Sequence, residues 1–209
     1  MAKVAKHALE IKYQLLPFLY TLFYRHAVSG TTVVSPVWHW FSPDKEALEI
    51  DDQFTWGGAL MISPIIEKGK MERQVYLPAK SDWYDFYDGH RVQGGWSTVQ
   101  SSLDDEEPRI PLHVSGGYVI PMQWPGVTTE ESRKNNMGLL VALEDKNAAG
   151  EIYIDDGESI DAEKDNFSLI KFEVHDDSMT GFAEVDNYKD IVFKLNTSHH
   201  QSREFLFDG

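Results

Sequence analysis

Two adjacent carboxylates, Asp51 and Asp52, head the stretch "IDDQFTWGGALMISPI" at residues 50–65. Paired carboxylates do general acid/base chemistry when both reach one reacting atom. Neighbours in sequence cannot: on a strand they point to opposite faces, and on a helix they diverge by about 100°. The expectation is instead that one of them caps a short helix or turn whose N–H groups need an acceptor. A second acidic group, Asp155, Asp156 and Glu158 in "GEIYIDDGES", invites a calcium loop. It lacks the alternating oxygen ligands and closing Glu of an EF-hand, and reads as a solvated β-turn. Trp83, Tyr84, Phe86, Tyr87 and Trp96 could stack on sugar rings, and alternation in "WYDFY" would place Trp83, Asp85 and Tyr87 on one face. His39 sits between two tryptophans in "VWHWF", and His199-His200 in the tail is either a weak metal binder or an exposed pair. His39, Trp83 and Tyr87 are the candidate substrate-binding residues; no catalytic group and no metal centre is expected. A Gly-x-Ser-x-Gly elbow is missing, and no glycine-rich phosphate loop precedes a helix. Asn166-Phe-Ser and Asn196-Thr-Ser are N-glycosylation sequons, meaningful on a secretory route.

Composition narrows the partners. A chain of 209 residues can bury a real core, and 42% hydrophobic with 25% charged residues argues against wholesale disorder. The net charge of −15 disfavours nucleic acid and anionic lipid, which need clustered Lys and Arg. Cysteine is absent, which removes disulfides, zinc thiolates and a thiol nucleophile. No apolar run approaches the roughly 20 residues of a membrane span, and "MAKVAKHALEIKYQLL" lacks the apolar core and cleavage site of a signal peptide.

The elements that must position these residues begin with a helix over residues 4–28. Leu9, Tyr13, Leu16, Tyr20 and Phe23 build its apolar face, Pro17 kinks or splits it, and Ser29-Gly30 stops it. "TTVVSPVWHWF" reads as a strand with an edge or bend at Pro36. Beyond Ile50 come "ALMISPII", "RQVYLPA", "WYDFY", "IPLHV", "YVIPM" and "MGLLVALE", short strands at the spacing of an antiparallel sandwich. "NFSLIKFEVHDD", "TGFAEVDN" and "DIVFKLNT" continue as a second, smaller sheet, and the tail carries a weak strand signal at most. A helix and one strand ahead of an all-β region look like the end of something larger, because that helix needs its broad apolar face covered.

In this order the segments resemble the C-terminal part of glycoside hydrolase family 31, the family of α-glucosidases. "KYQLLPFLYTLFYRHAVSGTTVVSPVWHWF" resembles the late helix and last strand of the family's (β/α)8 barrel, and "IDDQFTWGGALMISPIIEKG" its exit into the first C-terminal sandwich. "VYLPAKSDWYDFYDGHRV" and "IPLHVSGGYVIPMQWPGVTTEESRKNNMGLLVAL" match that sandwich, "GEIYIDDGES" matches the acidic turn of the second β-domain, and the likeness runs over residues 8–175. "PMQWPGVTTEESR" is closer to the lysosomal and digestive maltase type than to the endoplasmic-reticulum type. Ser35, Ser115 and Lys12 stand where the family usually carries Arg, which removes the cations of structural ion pairs.

The resemblance implies a mainly β fold: residues 1–56 as the end of the barrel, 57–137 as the proximal antiparallel β-sandwich, and 138–209 as a distal, incomplete β-domain. For a parent enzyme it implies retaining, cofactor-free hydrolysis of terminal α-linked glucose from maltose-type oligosaccharides, in a lysosomal or extracellular setting. In the family the nucleophilic Asp, the acid/base Asp and the substrate-clamping Arg and His lie on barrel strands upstream of residue 1. The resemblance therefore implies a chain that braces rather than catalyses, inactive alone, with the N-terminal helix meeting the rest of a barrel or a second copy. It also places His39 at the catalytic end of the last barrel strand. The alternative is a non-catalytic carbohydrate-binding or structural β-sandwich protein.

Overall fold

The computed structural model describes residues 2–100, 109–159, 166–176, 178–186, 196–197 and 203–207. Two helices open the chain, α1 (Ala2–Gln14) and α2 (Leu16–Ser29). Pro17 divides them, because it has no N–H to donate and is tolerated in a first helical turn. Gly30 closes α2 in the left-handed conformation, φ 71°, and gives its N–H to the His26 carbonyl.

The chain forms two compact units, Met1–Lys12 with Thr32–Gly116, and Tyr13–Thr31 with Gly117–Gly209. The break at residues 116 and 117 puts the strand "GYVIPMQ" with the second unit. The first unit holds a six-stranded antiparallel sheet and a two-stranded ribbon. Along the sheet run β1 (Val34–Pro36), β2 (Phe54–Trp56), β3 (Leu60–Ile62), β8 (Leu112–Ser115), β5 (Trp83–Asp85) and β6 (Arg91–Val92). The ribbon pairs β4 (Glu72–Leu77) with β7 (Gly95–Gln100). Val37, Ala47, Ile50, Met61, Tyr76, Leu77 and Trp83 form one core shared by the sheet and the ribbon.

The second unit is a seven-stranded sheet in the order β13 (Ser178–Asp186), β12 (Phe167–His175), β11 (Asn147–Asp155), β9 (Gly117–Gln123), β10 (Met137–Ala142), β15 (Arg203–Phe207) and β14 (Asn196–Thr197). All its pairings are antiparallel except β11 with β9, which run parallel over Ala148–Gly150. Val119, Leu139, Val141, Ala148, Ile152, Phe172 and Val174 fill its core. At Gly150 an added Cβ would lie 2.0 Å from the Val119 carbonyl oxygen, so only glycine lets the two strands meet.

The expected antiparallel β class holds, with local corrections. Strand structure at "TTVVSPVWHWF" ends at Pro36, and Val37–Trp40 turn into one helical turn, α3. "WYDFY" leaves its strand after Asp85, because the Asp85 carboxylate accepts the N–H groups of Tyr87 and Asp88 and folds the chain back. Tyr87 therefore does not continue the face of Trp83. Arg91–Val92, in a stretch read as a break, pairs with β5, and "GWSTVQ" forms β7. The tail segment "REFLF" forms β15 beside β10, and the C-terminal sheet is the larger one.

Two substitutions test these contacts. Gly150→Ala is expected to destabilise the chain by at least about 2 kcal/mol in urea melts. Gly69→Ala, at a positive φ with open space around it, meets backbone strain alone and should cost about 1–2 kcal/mol.

Candidate functional site

Asp51 is exposed, and Asp52 forms an ion pair with Arg73, 2.5 Å from carboxylate to guanidinium. Neither is a cap: the N–H of Glu46, at the start of the one-turn 3-10 helix Glu46–Glu49, goes to Asp44. Arg73 also donates to the carbonyls of Asp52 (3.1 Å) and Pro64 (2.6 Å). The chemistry of this stretch resides in Gln53, which is buried. Its amide nitrogen donates to Ser63 Oγ and to the Tyr76 carbonyl, each at 3.0 Å, while its oxygen accepts the Tyr76 N–H at 2.7 Å. A side-chain amide thus pairs with β4 as a strand would. Nothing in the period-2 pattern marks that role; the only signal is a polar residue just ahead of a buried strand.

The acidic turn is no solvated loop at Asp155. That carboxylate is buried, accepts the Tyr20 hydroxyl at 2.7 Å and the Gly157 N–H at 2.9 Å, and lies 3.9 Å from Arg133. Tyr20 belongs to α2, which lies along β11. Tyr24 stacks on Tyr153 with centroids 4.1 Å apart, Arg25 pairs with Glu151, and Thr21 Oγ1 accepts the Tyr153 N–H at 3.0 Å. Asp156 is held down to about 2 by the Ser159 hydroxyl and the N–H groups of Ser159 and Glu158.

The aromatic candidates part company. Trp83 is fully buried, donates its indole N–H to the Pro78 carbonyl at 2.9 Å, and offers no ring face to a ligand. Tyr87 is half-buried, gives its hydroxyl to the Ile110 carbonyl and carries Arg109 over its ring at 5.1 Å. His39 is exposed. Its Nε2 lies 3.2 Å from Thr32 Oγ1, and its ring meets Trp40 edge-on at 5.2 Å. Trp38, Trp40, Trp96 and Trp124 are the exposed tryptophans. Ser35 and Ser115 are both buried; Ser35 Oγ pairs with Thr32 Oγ1 at 2.6 Å, a neutral contact where the resemblance leads one to expect arginine. Asn166 is exposed at the head of β12, Asn196 opens β14, and His199-His200 lies outside the described residues.

Residues 30–120 match the glycosyl hydrolase family 31 C-terminal domain. The chain belongs to this family. Intestinal sucrase-isomaltase of Oryctolagus cuniculus is 41% identical over 181 residues, covering 86% of this chain and 10% of that protein. Lysosomal alpha-glucosidase of Mus musculus is 38% identical over 80% of this chain and 19% of its own length. Among solved structures, the glucosidase II alpha subunit in its Glc1Man2-bound form superposes with a TM-score of 0.79 at 27% identity, over 87% of this chain and 20% of that one. The chain thus spans about a tenth of the curated sucrase-isomaltase it matches. The family domain encloses Asp52, the Gln53 fork, Trp83 and His39, and its match ends inside β9.

Tyr20, Tyr76 and Tyr87 are each pushed up to about 12, by burial first. Asp155 holds the Tyr20 proton further and Asp44 that of Tyr76, whereas Tyr87 rests on burial against an opposing hydrogen bond. A raised folded-state pKa favours the protonated phenol, so this stability is complete below about pH 10 and is lost as pH rises toward about 12. Urea melts at several pH values across that window should show the loss. A chain carrying Tyr20→Phe, Tyr76→Phe and Tyr87→Phe should show a shallower slope, and an unchanged slope would refute the assignment.

Proposed function

We propose that this chain is the C-terminal part of an α-glucosidase-like hydrolase and braces a catalytic barrel without supplying the catalytic carboxylates. Residues 1–56 are the end of that barrel, 57–137 the proximal sandwich domain, and 138–209 the distal β-domain. The whole enzyme would release terminal α-linked glucose from maltose-type oligosaccharides with retention, in a lysosomal or extracellular setting where Asn166 and Asn196 can carry glycans. The observation that carries this reading is the family 31 match over the exit from barrel to sandwich, at 41% identity to an intestinal sucrase-isomaltase. Exposed apolar side chains on the N-terminal elements support it. Leu9, Phe23, Val28, Val34, Trp38 and Trp40 lie open on α1, α2, β1 and α3, as surfaces for the rest of a barrel would. His39, among these tryptophans, would border the sugar pocket.

A second reading, a carbohydrate-binding module, draws on Trp96, 55% exposed and packed on Tyr76 at 5.2 Å, as a stacking platform. Tyr87 is a weaker candidate for the same role.

Co-expression with a family α-glucosidase cut before its own C-terminal region should restore α-glucoside hydrolysis that neither piece shows alone. Turnover of a chromogenic α-glucoside by the pure 209-residue chain, with contaminants excluded, would overturn the bracing role. Titration with maltooligosaccharides should leave tryptophan fluorescence unchanged; a saturable change abolished by Trp96→Ala would favour the binding module.

A further inference from the structure

The sequon that Asn166 opens is split between two surroundings. Asn166 itself is exposed, just ahead of β12, and Phe167 and Ser168 begin that strand. Phe167 is 8% exposed and Ser168 only 1%. The Phe167 ring packs against Tyr153 and Tyr24, with centroids 5.3 and 5.9 Å away. In the sheet Phe167 stands opposite Asp155 of β11, and Ser168 lies between Ile154 of β11 and Asp186 of β13. The hydroxyl residue of the sequon therefore belongs to an inner strand with a neighbour on each side.

Such an acceptor is expected on a surface loop, because the transferase must hold the Asn amide and the hydroxyl two residues on at the same time. In the folded chain it can reach the amide and not the hydroxyl. Reaching Ser168 means lifting the head of β12 off both neighbouring strands and drawing Phe167 out of its aromatic cluster. That is an opening of the sheet, which costs far more than the fraying of a loop. Before the strands pair, the same residues are open chain. Because β13 follows the sequon in sequence, Ser168 stays accessible during synthesis until its second neighbour has been made. The fold also tolerates the product. The Asn166 amide gives one hydrogen to Asp156 Oδ2 at 3.4 Å, and a sugar replaces the other at an exposed position.

We propose that Asn166 is an N-glycan acceptor open only before β12 pairs with β11 and β13, so that its occupancy is set by competition between transfer and folding of the C-terminal sheet. This rests on the secretory setting argued under the proposed function. In the transfer, the Asn166 amide nitrogen loses a proton and bonds to the anomeric carbon of a lipid-linked oligosaccharide. The bond from that carbon to the lipid diphosphate breaks, and the diphosphate leaves with its electron pair. Once β12 is paired the step is closed, and a chain that folds first stays unmodified at this position.

The test uses the full chain with Asn196→Gln, which leaves Asn166 as the one sequon in the sequence. One sample is translated behind a signal sequence into glycosylation-competent microsomes. Another is purified, folded and then given to the same membranes opened with mild detergent. A gel shift reversed by peptide N-glycosidase reads the glycan. The nascent chain should be modified, and the folded chain at least about tenfold less, because it must first open a paired strand. Asn166→Gln should abolish the shift and leave the Tm of the unglycosylated chain unchanged. Equal modification of folded and nascent chains would overturn the gating. An unmodified nascent chain, in membranes that glycosylate a control protein, would overturn the acceptor itself. Modification of the nascent chain upholds the acceptor even where protein isolated from its source carries no glycan, a result that would refute the secretory setting alone.

Discussion

The first unit depends on one side-chain amide. A sheet and a two-stranded ribbon packed face to face share apolar contacts, which hold them together without fixing their register. Gln53 adds direction. By answering both the N–H and the carbonyl of Tyr76, it ties the entry of β2 to β4 in the manner of a ladder pair, and its third bond reaches Ser63 at the end of β3. All of these groups are buried, so a misplaced ribbon would strand several of them unsatisfied, at about 1–3 kcal/mol each. Arg73 repeats the logic at the rim, where its guanidinium joins the Asp52 carboxylate to two carbonyls. With the ribbon fixed, Leu77 and Tyr76 close over Trp83 and the core becomes one body.

The second unit solves a different problem. Parallel pairing with β9 ends at Gly150, and among the described residues no strand continues on that side of β11. At Tyr153 helix α2 takes the strand's place. The Thr21 hydroxyl accepts that N–H and donates in turn to the Pro17 carbonyl one helical turn back. The residue before it, Tyr20, reaches Asp155, and Tyr24, about one turn on, lies flat on Tyr153. The acidic end of β11 is thus a docking point for the helix. This accounts for a carboxylate pair that looks like a ligand loop in sequence: Asp155 turns inward to Tyr20, and Asp156 remains outside to hold its own turn.

What sequence pattern can reveal follows from whether a feature is local. The split at Pro17, the stop at Gly30 and the antiparallel strands at residues 112–123 and 167–175 rest on local backbone chemistry and alternation, and are legible. The end of β5 is not, because it turns on the Asp85 carboxylate capturing two N–H groups that an alternating pattern assigns to a strand. The helical turn at Val37–Trp40 escapes for a related reason: its β-branched and aromatic composition favours strand, while Pro36 before it is an acceptable start for a helix. Trp83 is misread because exposure is a tertiary property; alternation yields two faces without saying which one the ribbon covers. Family motifs, which encode that tertiary context, supply the rest.

Buried polar groups and exposed apolar groups are distributed differently along this chain, and the difference bears on what it is for. Polar side chains taken out of water, Gln53, Thr21 and Asp155, each have partners that fix backbone to backbone. They are anchors, held by several bonds, where a group meant to exchange protons with a substrate needs an open approach. The open apolar groups are densest elsewhere, in residues 9–40, where seven large side chains on four successive elements face solvent. Apolar area left in water forgoes roughly 25 cal/mol per Å². Leu9, Tyr20, Phe23 and Val28 precede the family domain, and Val34, Trp38 and Trp40 lie inside it. The buried polar groups set the geometry of each unit, and cover over the open apolar groups would recover what their exposure forgoes.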